Sequence, residues 1–222
     1  IKALEDDEAG ADRYHEISAS VSRVTPFGIV DLQLESRNYR RSAYARREGK
    51  LREGQLGLLF PLAATLHSRW VAEAQLQYTD NHEVLQTPRP LLDDEVTTLN
   101  ERFPALQLAL HYAADGESDW TYGGGLSIHH GLGHDKAASD SELDYLALTP
   151  SFDLQRSIGA RASASLTVSG QYSDDRLPTT MQWVLGGSDK LAAYLPGVAL
   201  GDSGWVAVAD LQYKVPVPRG LR

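Results

Sequence analysis

The 222-residue chain contains no cysteine and one methionine. Without thiols it has no disulfide framework, no cysteine-ligated zinc, no iron–sulfur cluster and no thiol nucleophile. Basic residues are in deficit, 21 Lys and Arg against 30 Asp and Glu, for a net charge of −9. That balance argues against a nucleic-acid partner, which needs a concentrated basic face. Long apolar runs are missing too. The longest, Leu56 to Leu66 (LGLLFPLAATL), contains Pro61 and falls short of the roughly 18 residues of a membrane-spanning helix. The opening residues, IKALEDDEAG, carry neither the basic nor the apolar region of a signal peptide. The expectation is either a cytosolic chain or one that starts downstream of its natural beginning. With a mean hydropathy of −0.33, composition alone describes a soluble domain.

What the sequence does have is period-2 alternation along most of its length. From Ala160 to Tyr172, one face reads Ala160, Ala162, Ala164, Leu166, Val168, Gly170, Tyr172 and the other Arg161, Ser163, Ser165, Thr167, Ser169, Gln171. The same split recurs around Trp70–Tyr78, Leu106–Tyr112, Trp120–Ile128 and Trp205–Tyr213, and in shorter form at Ile17–Val21, Val30–Leu34 and Leu56–Phe60. A ninth segment, Glu142 to Leu154, is strand-like, but Tyr145 and the pair Leu146, Leu148 point opposite ways. Nine strands with hardly a helix between them define an all-β protein.

Alternation fits a soluble sandwich with its apolar face inside as well as a membrane barrel with that face outside. Three features favour the barrel. The apolar faces are rich in Ala and Gly and end in aromatics (Trp70, Tyr78, Trp120, Tyr172, Trp205, Tyr213), as interfacial girdles do. The strands run about 9–13 residues, enough to cross a hydrocarbon core when tilted. Short links at Thr25–Pro26, Pro61–Arg69, Ala113–Asp119 and Gln155–Gly159 alternate with long ones at Tyr39–Gln55, Thr79–Phe103, His130–Ser141 and Ser173–Gly204, the pattern of periplasmic turns and extracellular loops. The predicted fold class is therefore a transmembrane antiparallel β-barrel. An odd count of nine, in a class that favours even numbers, and an end at PVPRGLR suggest a partial one. A soluble all-β domain with long loops remains the alternative.

Several motifs invite chemistry and are better explained by structure. Gly201-Asp202-Ser203-Gly204 opens like a serine-protease nucleophile motif, but Trp205 follows it and no matching His lies upstream, so a turn into a strand is preferred. His129, His130, His134 and Asp135 have metal-ligand chemistry, yet they lie where a strand enters a Gly-rich loop and read as surface residues. Gly123-Gly124-Gly125 precedes no helix and is not a phosphate loop. Glu5–Glu8 and Asp93–Glu95 read as solvated loops. The basic run Arg37 to Arg52 (RNYRRSAYARREGKLR) falls in a long loop, where it is either simply solvated or a contact for anionic lipopolysaccharide or a passenger chain.

The segment Met181 to Tyr213 reads MQWVLGGSDKLAAYLPGVALGDSGWVAVADLQY. Trp183, Leu185, Gly186, Gly187, then Leu191-Ala192-Ala193-Tyr194, then Pro196-Gly197, then Gly201-Asp202-x-Gly204 occur in an order and spacing that resemble the signature region of the TpsB transporters of two-partner secretion, the hemolysin secretion/activation family of the BamA-like superfamily. The resemblance implies a 16-stranded outer-membrane barrel behind two periplasmic POTRA domains, with this loop folded into the lumen and residues 1–222 covering about strands four to twelve. It implies a secreted TpsA-like exoprotein as partner, contact with outer-membrane lipid and lipopolysaccharide, a monomer, no nucleic acid, no cofactor and no catalysis. Within this motif Gly186, Gly187, Tyr194, Pro196, Gly197, Gly201, Asp202 and Gly204 would act as shapers of the loop rather than as chemical groups. One departure is pointed: the family's tetrad arginine is Ala192 here, so a guanidinium anchor is missing, and either the loop is held differently, through Lys190, or the chain is a divergent or weakened member. A barrel insertase and a diffusive porin are the rival functions.

Overall fold

The computed structural model describes residues 2–6, 13–42, 46–87, 95–116, 119–133, 136–137, 141–185 and 199–215. The strands are β1 (Lys2–Asp6), β2 (Arg13–Thr25), β3 (Gly28–Ser42), β4 (Arg46–Ala64), β5 (Ser68–Thr87), β6 (Glu95–Asp115), β7 (Trp120–Gly131), β8 (Lys136–Ala137), β9 (Leu146–Ile158), β10 (Ala162–Gln171), β11 (Trp183–Leu185), β12 (Ala199–Gly201) and β13 (Gly204–Tyr213). A single 3₁₀ turn, Thr179–Met181, is the helical content among the described residues. The main sheet is an antiparallel meander in the order β1-β2-β3-β4-β5-β6-β7-β9-β10-β13, with β8 paired to β6 and β11 paired to β12 in a separate ribbon. All nine expected strands are present, and β1 adds a short tenth at the edge.

The two faces of the sheet are chemically distinct. Leu32, Leu56, Leu76, Leu108, Leu126 and Phe152 share the outer face, each 41–50% exposed. Their sequence neighbours Gln33, Gln55, Gln75, Gln107, Ser127 and Asp153 point to the other side. It is the polar face that the chain covers with a segment of its own, residues 173–185, while none of the described residues covers the apolar face. A bare apolar surface of this extent is unsuited to water and matched to lipid, which decides between the two readings of the alternation.

Strand tilt can be read from the register. The pairing row through Trp70 runs Tyr112, Gly124, Phe152, Val168 and ends at Ala207. Tyr213, the aromatic at the corresponding end of β13, lies six residues further on. Crossing five strand spacings covers about 24 Å, and six residues cover about 20 Å, so the strands lean about 40° from the membrane normal, within the range of membrane barrels. Trp70 and Tyr78 on β5, like Trp205 and Tyr213 on β13, are eight residues apart. At that tilt they stand about 20 Å apart along the normal, near the two edges of an apolar band. At the short-turn edge Trp70 and Tyr112 stack at 4.5 Å and Arg156 sits 4.8 Å over Trp120.

The short turns all lie at that edge. Pro26 and Phe27 join β2 to β3, followed by Gly28 at φ +154, where an added Cβ would stand 2.1 Å from the Leu59 carbonyl oxygen. Two connections that the alternation assigns to loops, Tyr39–Gln55 and Thr79–Phe103, are instead largely strand: β3 pairs with β4 out to Ser42↔Arg46, and β5 with β6 out to Thr87↔Glu95. Beyond the apolar band both faces of a strand meet polar surroundings, so the pairing continues after the alternation has ended. The ambiguous ninth segment is also resolved. Tyr145 points inward and is 1% exposed, whereas Leu146 is half exposed on the lipid side.

Candidate functional site

Residues 173–185 and 199–203 lie on the inner face, where β10 leaves the sheet and the chain returns as β13. Tyr172 still pairs with Leu148 through two backbone bonds of 2.9 Å. The path then turns inward on hydroxyl groups: Ser173 Oγ donates to the Leu146 carbonyl at 2.8 Å, Ser203 Oγ accepts from Ser173 N–H at 2.9 Å, and Asp175 accepts from Leu146 N–H at 2.8 Å. These contacts hold the departing and returning ends side by side.

Beyond them the segment seats a hydrophobic plug. Leu177, 1% exposed, packs with Phe103, Ala105, Leu143, Tyr145 and Ala147, with Met181 at the edge. Burial of this kind contributes about 1.5–3 kcal/mol for one leucine. Phe103 and Tyr145 meet edge to face at 6.0 Å. Burial, reinforced by the Glu101 carboxylate, pushes the Tyr145 phenol above its usual range and keeps it protonated.

Next to the plug lies Glu101, on the inward side of β6 past the apolar band and only 1% exposed. A buried carboxylate needs donors, and here the tucked segment supplies two of the four found among the described residues. Thr179 N–H reaches both oxygens at 2.9 and 3.1 Å, and Thr179 Oγ1 donates at 3.2 Å. Ser141 Oγ donates at 3.1 Å and Asn81 Nδ2 at 3.5 Å. Pro178, also buried, places the Thr179 amide at the start of the 3₁₀ turn, where an amide has no partner within the helix.

Of the residues in the 183–204 motif, Trp183, Leu185, Gly201, Asp202 and Gly204 are described. Asp202 Oδ1 accepts from Leu177 N–H at 2.9 Å and from Gln182 Nε2 at 3.4 Å, tying the end of the segment to its plug. Gln171 Nε2 donates to the carbonyls of Met181 (2.9 Å) and Asp202 (3.3 Å). Gly201 pairs with Trp183 in the β11–β12 ribbon. A Cβ on Gly204 would stand 2.5 Å from Trp183 Cδ1, so the glycine makes room for the indole. Gly186, Gly187, Leu191, Ala192, Ala193, Tyr194, Pro196 and Gly197, with Lys190, lie outside the described residues.

Sequence reasoning missed Glu101, Thr179, Leu177 and Ser173. One signal was available: an isolated Leu-Pro followed by two threonines in an otherwise polar loop. The other motifs do not converge. His129 and His130 point to opposite faces, His134 and Asp135 lie outside the described residues, and no metal-holding cluster occurs among the described residues. Among the described residues, the Ser203 hydroxyl bonds the Ser173 backbone. Within the basic run, Arg37 turns inward beside Glu35 and 3.9 Å from Glu16, while Arg40, Lys50 and Arg52 turn outward. Among the residues whose side chains are described the inner wall is acidic: Glu16, Asp31, Glu53, Glu73, Glu83, Asp115, Asp153 and Asp210 face inward with Glu35 and Glu101, against Arg37 and Arg69.

These features define a class: a partial transmembrane β-barrel with a chain segment latched to its polar inner wall. Among solved structures, the chain is similar to CdiB from Escherichia coli, with a TM-score of 0.77 and 18% identity over 93% of this chain and 40% of that one. It is also similar to CdiB from Acinetobacter baumannii, with a TM-score of 0.72 and 12% identity over 93% of this chain and 38% of that one. The shared fold is that of the barrel, and the chain spans about two-fifths of those proteins. No protein-family model and no curated protein sequence matches it.

Proposed function

We propose that the chain forms part of the barrel of a two-partner secretion transporter in the outer membrane of a Gram-negative bacterium, through which an unfolded TpsA-like exoprotein reaches the cell surface. The observation that carries this reading is the segment seated on the polar inner wall, where it occupies the path a translocating chain would take. The likeness to CdiB, a TpsB transporter, and the order of the 183–204 motif support it. The mechanism asks for no covalent step. POTRA domains preceding the barrel would deliver the passenger, the latched segment would move aside, and a polar, acidic lumen would pass an extended chain without giving it an apolar surface on which to lodge. Ala192 takes the place of the family's anchoring arginine, and the contacts of Glu101 and Asp202 offer a substitute hold on the same loop.

The test uses the full-length protein expressed with its exoprotein. Deleting residues 186–198 should abolish appearance of the exoprotein at the surface and change single-channel conductance, with outer-membrane assembly retained. Undiminished export from an assembled deletion variant would refute the role given to the loop.

A further inference from the structure

The outer face carries a feature that transport does not use. Where β2–β5 reach the long-connection edge of the apolar band, a groove of about 380 Å³ opens between Ile17, Leu34 and Tyr78, over a floor of Ala19 and Gly54, and ends at Arg52. Glu35 and Glu53 also border it, but the alternation turns their side chains to the inner face. Register places Arg52 in one row with Ser36, Asp80 and Arg102, immediately beyond the row of Leu34, Gly54 and Tyr78, and Lys50 one row further out. Arg102 bonds Asp80 at 3.4 Å. Arg52 and Lys50 are exposed, and neither forms an ion pair among the described residues.

An apolar groove in the lipid-facing band, closed at the headgroup level by two uncommitted cations in a chain of net charge −9, has the chemistry of an acyl chain bearing a phosphate. We propose that this groove binds lipopolysaccharide through its lipid A moiety, one acyl chain lying over Gly54 and a phosphate on Arg52 and Lys50. The end carrying the long connections faces the outer leaflet in the orientation proposed above, on which this site depends, and lipid A is the phosphorylated lipid of that leaflet. A larger outer-face groove, about 630 Å³ over Gly124 between Trp70, Leu110, Tyr122 and Phe152, has no cation in its lining; it offers the acyl contact without the phosphate contact.

The full-length protein, purified in detergent, is titrated with lipid A and separately with phosphatidylethanolamine, and occupancy is read by native mass spectrometry. Lys50→Ala/Arg52→Ala should weaken lipid A binding about tenfold, as expected for lost charge-assisted contacts, and leave phosphatidylethanolamine within about twofold. Gly54→Leu should weaken lipid A while leaving the fold intact by circular dichroism, since a Cβ there meets only Leu34 Cδ2 at an ordinary 3.4 Å. Lipid A binding unchanged by the double substitution, or equal losses for both lipids, would overturn the site. A protein that resists carbonate extraction from liposomes yet shows no lipid A preference sinks this site alone; one that is extracted sinks the membrane orientation and the site with it.

Discussion

Replacing Glu101 by Gln should unseat the inward segment without altering the barrel. The substitution keeps the size of the side chain but removes the charge and exchanges one acceptor oxygen for a donor. In the native arrangement the two carboxylate oxygens accept from Thr179 N–H, Thr179 Oγ1, Ser141 Oγ and Asn81 Nδ2, all in a place 1% exposed. A glutamine has one acceptor oxygen, so at least one of these donors is left facing an amide NH₂. A buried hydrogen bond to a charged group contributes about 1.5–3 kcal/mol; one such loss puts about 1.5–3 kcal/mol against the seated state. That is about 10- to 150-fold in the ratio of seated to displaced segment. Amide hydrogen exchange reads this ratio directly, because protection scales with the free energy of local opening. The amides of Leu177 and Thr179–Met181 should exchange about 10- to 150-fold faster in the variant, with β5 and β6 unchanged in their paired interior. Equal exchange at 177–181 in the two proteins would mean that Glu101 holds nothing, and the latch would be wrong.

Three further outcomes follow from the same geometry. Asp202→Ala removes the acceptor of Leu177 N–H and should speed exchange at that amide about fivefold to thirtyfold, for a loss of about 1–2 kcal/mol; no change would separate Asp202 from the plug. Gly204→Ala drives a methyl to within 2.5 Å of the Trp183 ring and should expel the buried indole, shifting its fluorescence to the red in a variant whose other tryptophans are replaced, whereas an unshifted spectrum would contradict the packing. Planar-bilayer recordings in a salt gradient should give a cation-selective reversal potential, because carboxylates outnumber cations on the inner wall; anion selectivity would refute the assignment of the polar face to the lumen.

The fold was legible wherever two environments meet across a strand. Between Trp70 and Tyr78, lipid on one side and lumen on the other force every second residue to be apolar, so the sequence spells out strand, face and span together. From Thr79 to Thr87 that contrast vanishes. Asp80 and His82 on the outside are as polar as Thr79 and Asn81 on the inside, so the extension of β5 reads as loop although its backbone is fully paired. The hydrogen bonds that make a strand carry no residue code; the code comes from the solvent on either side. Tyr145 shows the same limit in another way. Its inward ring disturbs the phase of β9 because the plug, rather than water, covers that part of the wall.

Of the candidate latch, the sequence motif marked Gly204 and Asp202 but not the carboxylate on the facing wall. Gly204 and Asp202 mark a tight return beside a bulky indole, a local requirement that a local motif can record. Glu101 meets Thr179 across 78 positions of sequence, and nothing near Glu101 distinguishes it from the solvated carboxylates around it. What makes it different is the absence of water, which is created only when Leu177 and Pro178 close over Phe103. The apolar plug and the charged contact are therefore interdependent. Without the plug, the carboxylate would be hydrated and the Thr179 bonds would gain little over water; without the carboxylate, burying the Thr179 amide would leave a donor unsatisfied. A latch built this way has few intermediate states, since loosening either half admits the water that weakens the other. That is the behaviour the proposed transport function asks of this segment, which under that proposal holds firmly at rest and leaves the lumen in a single movement.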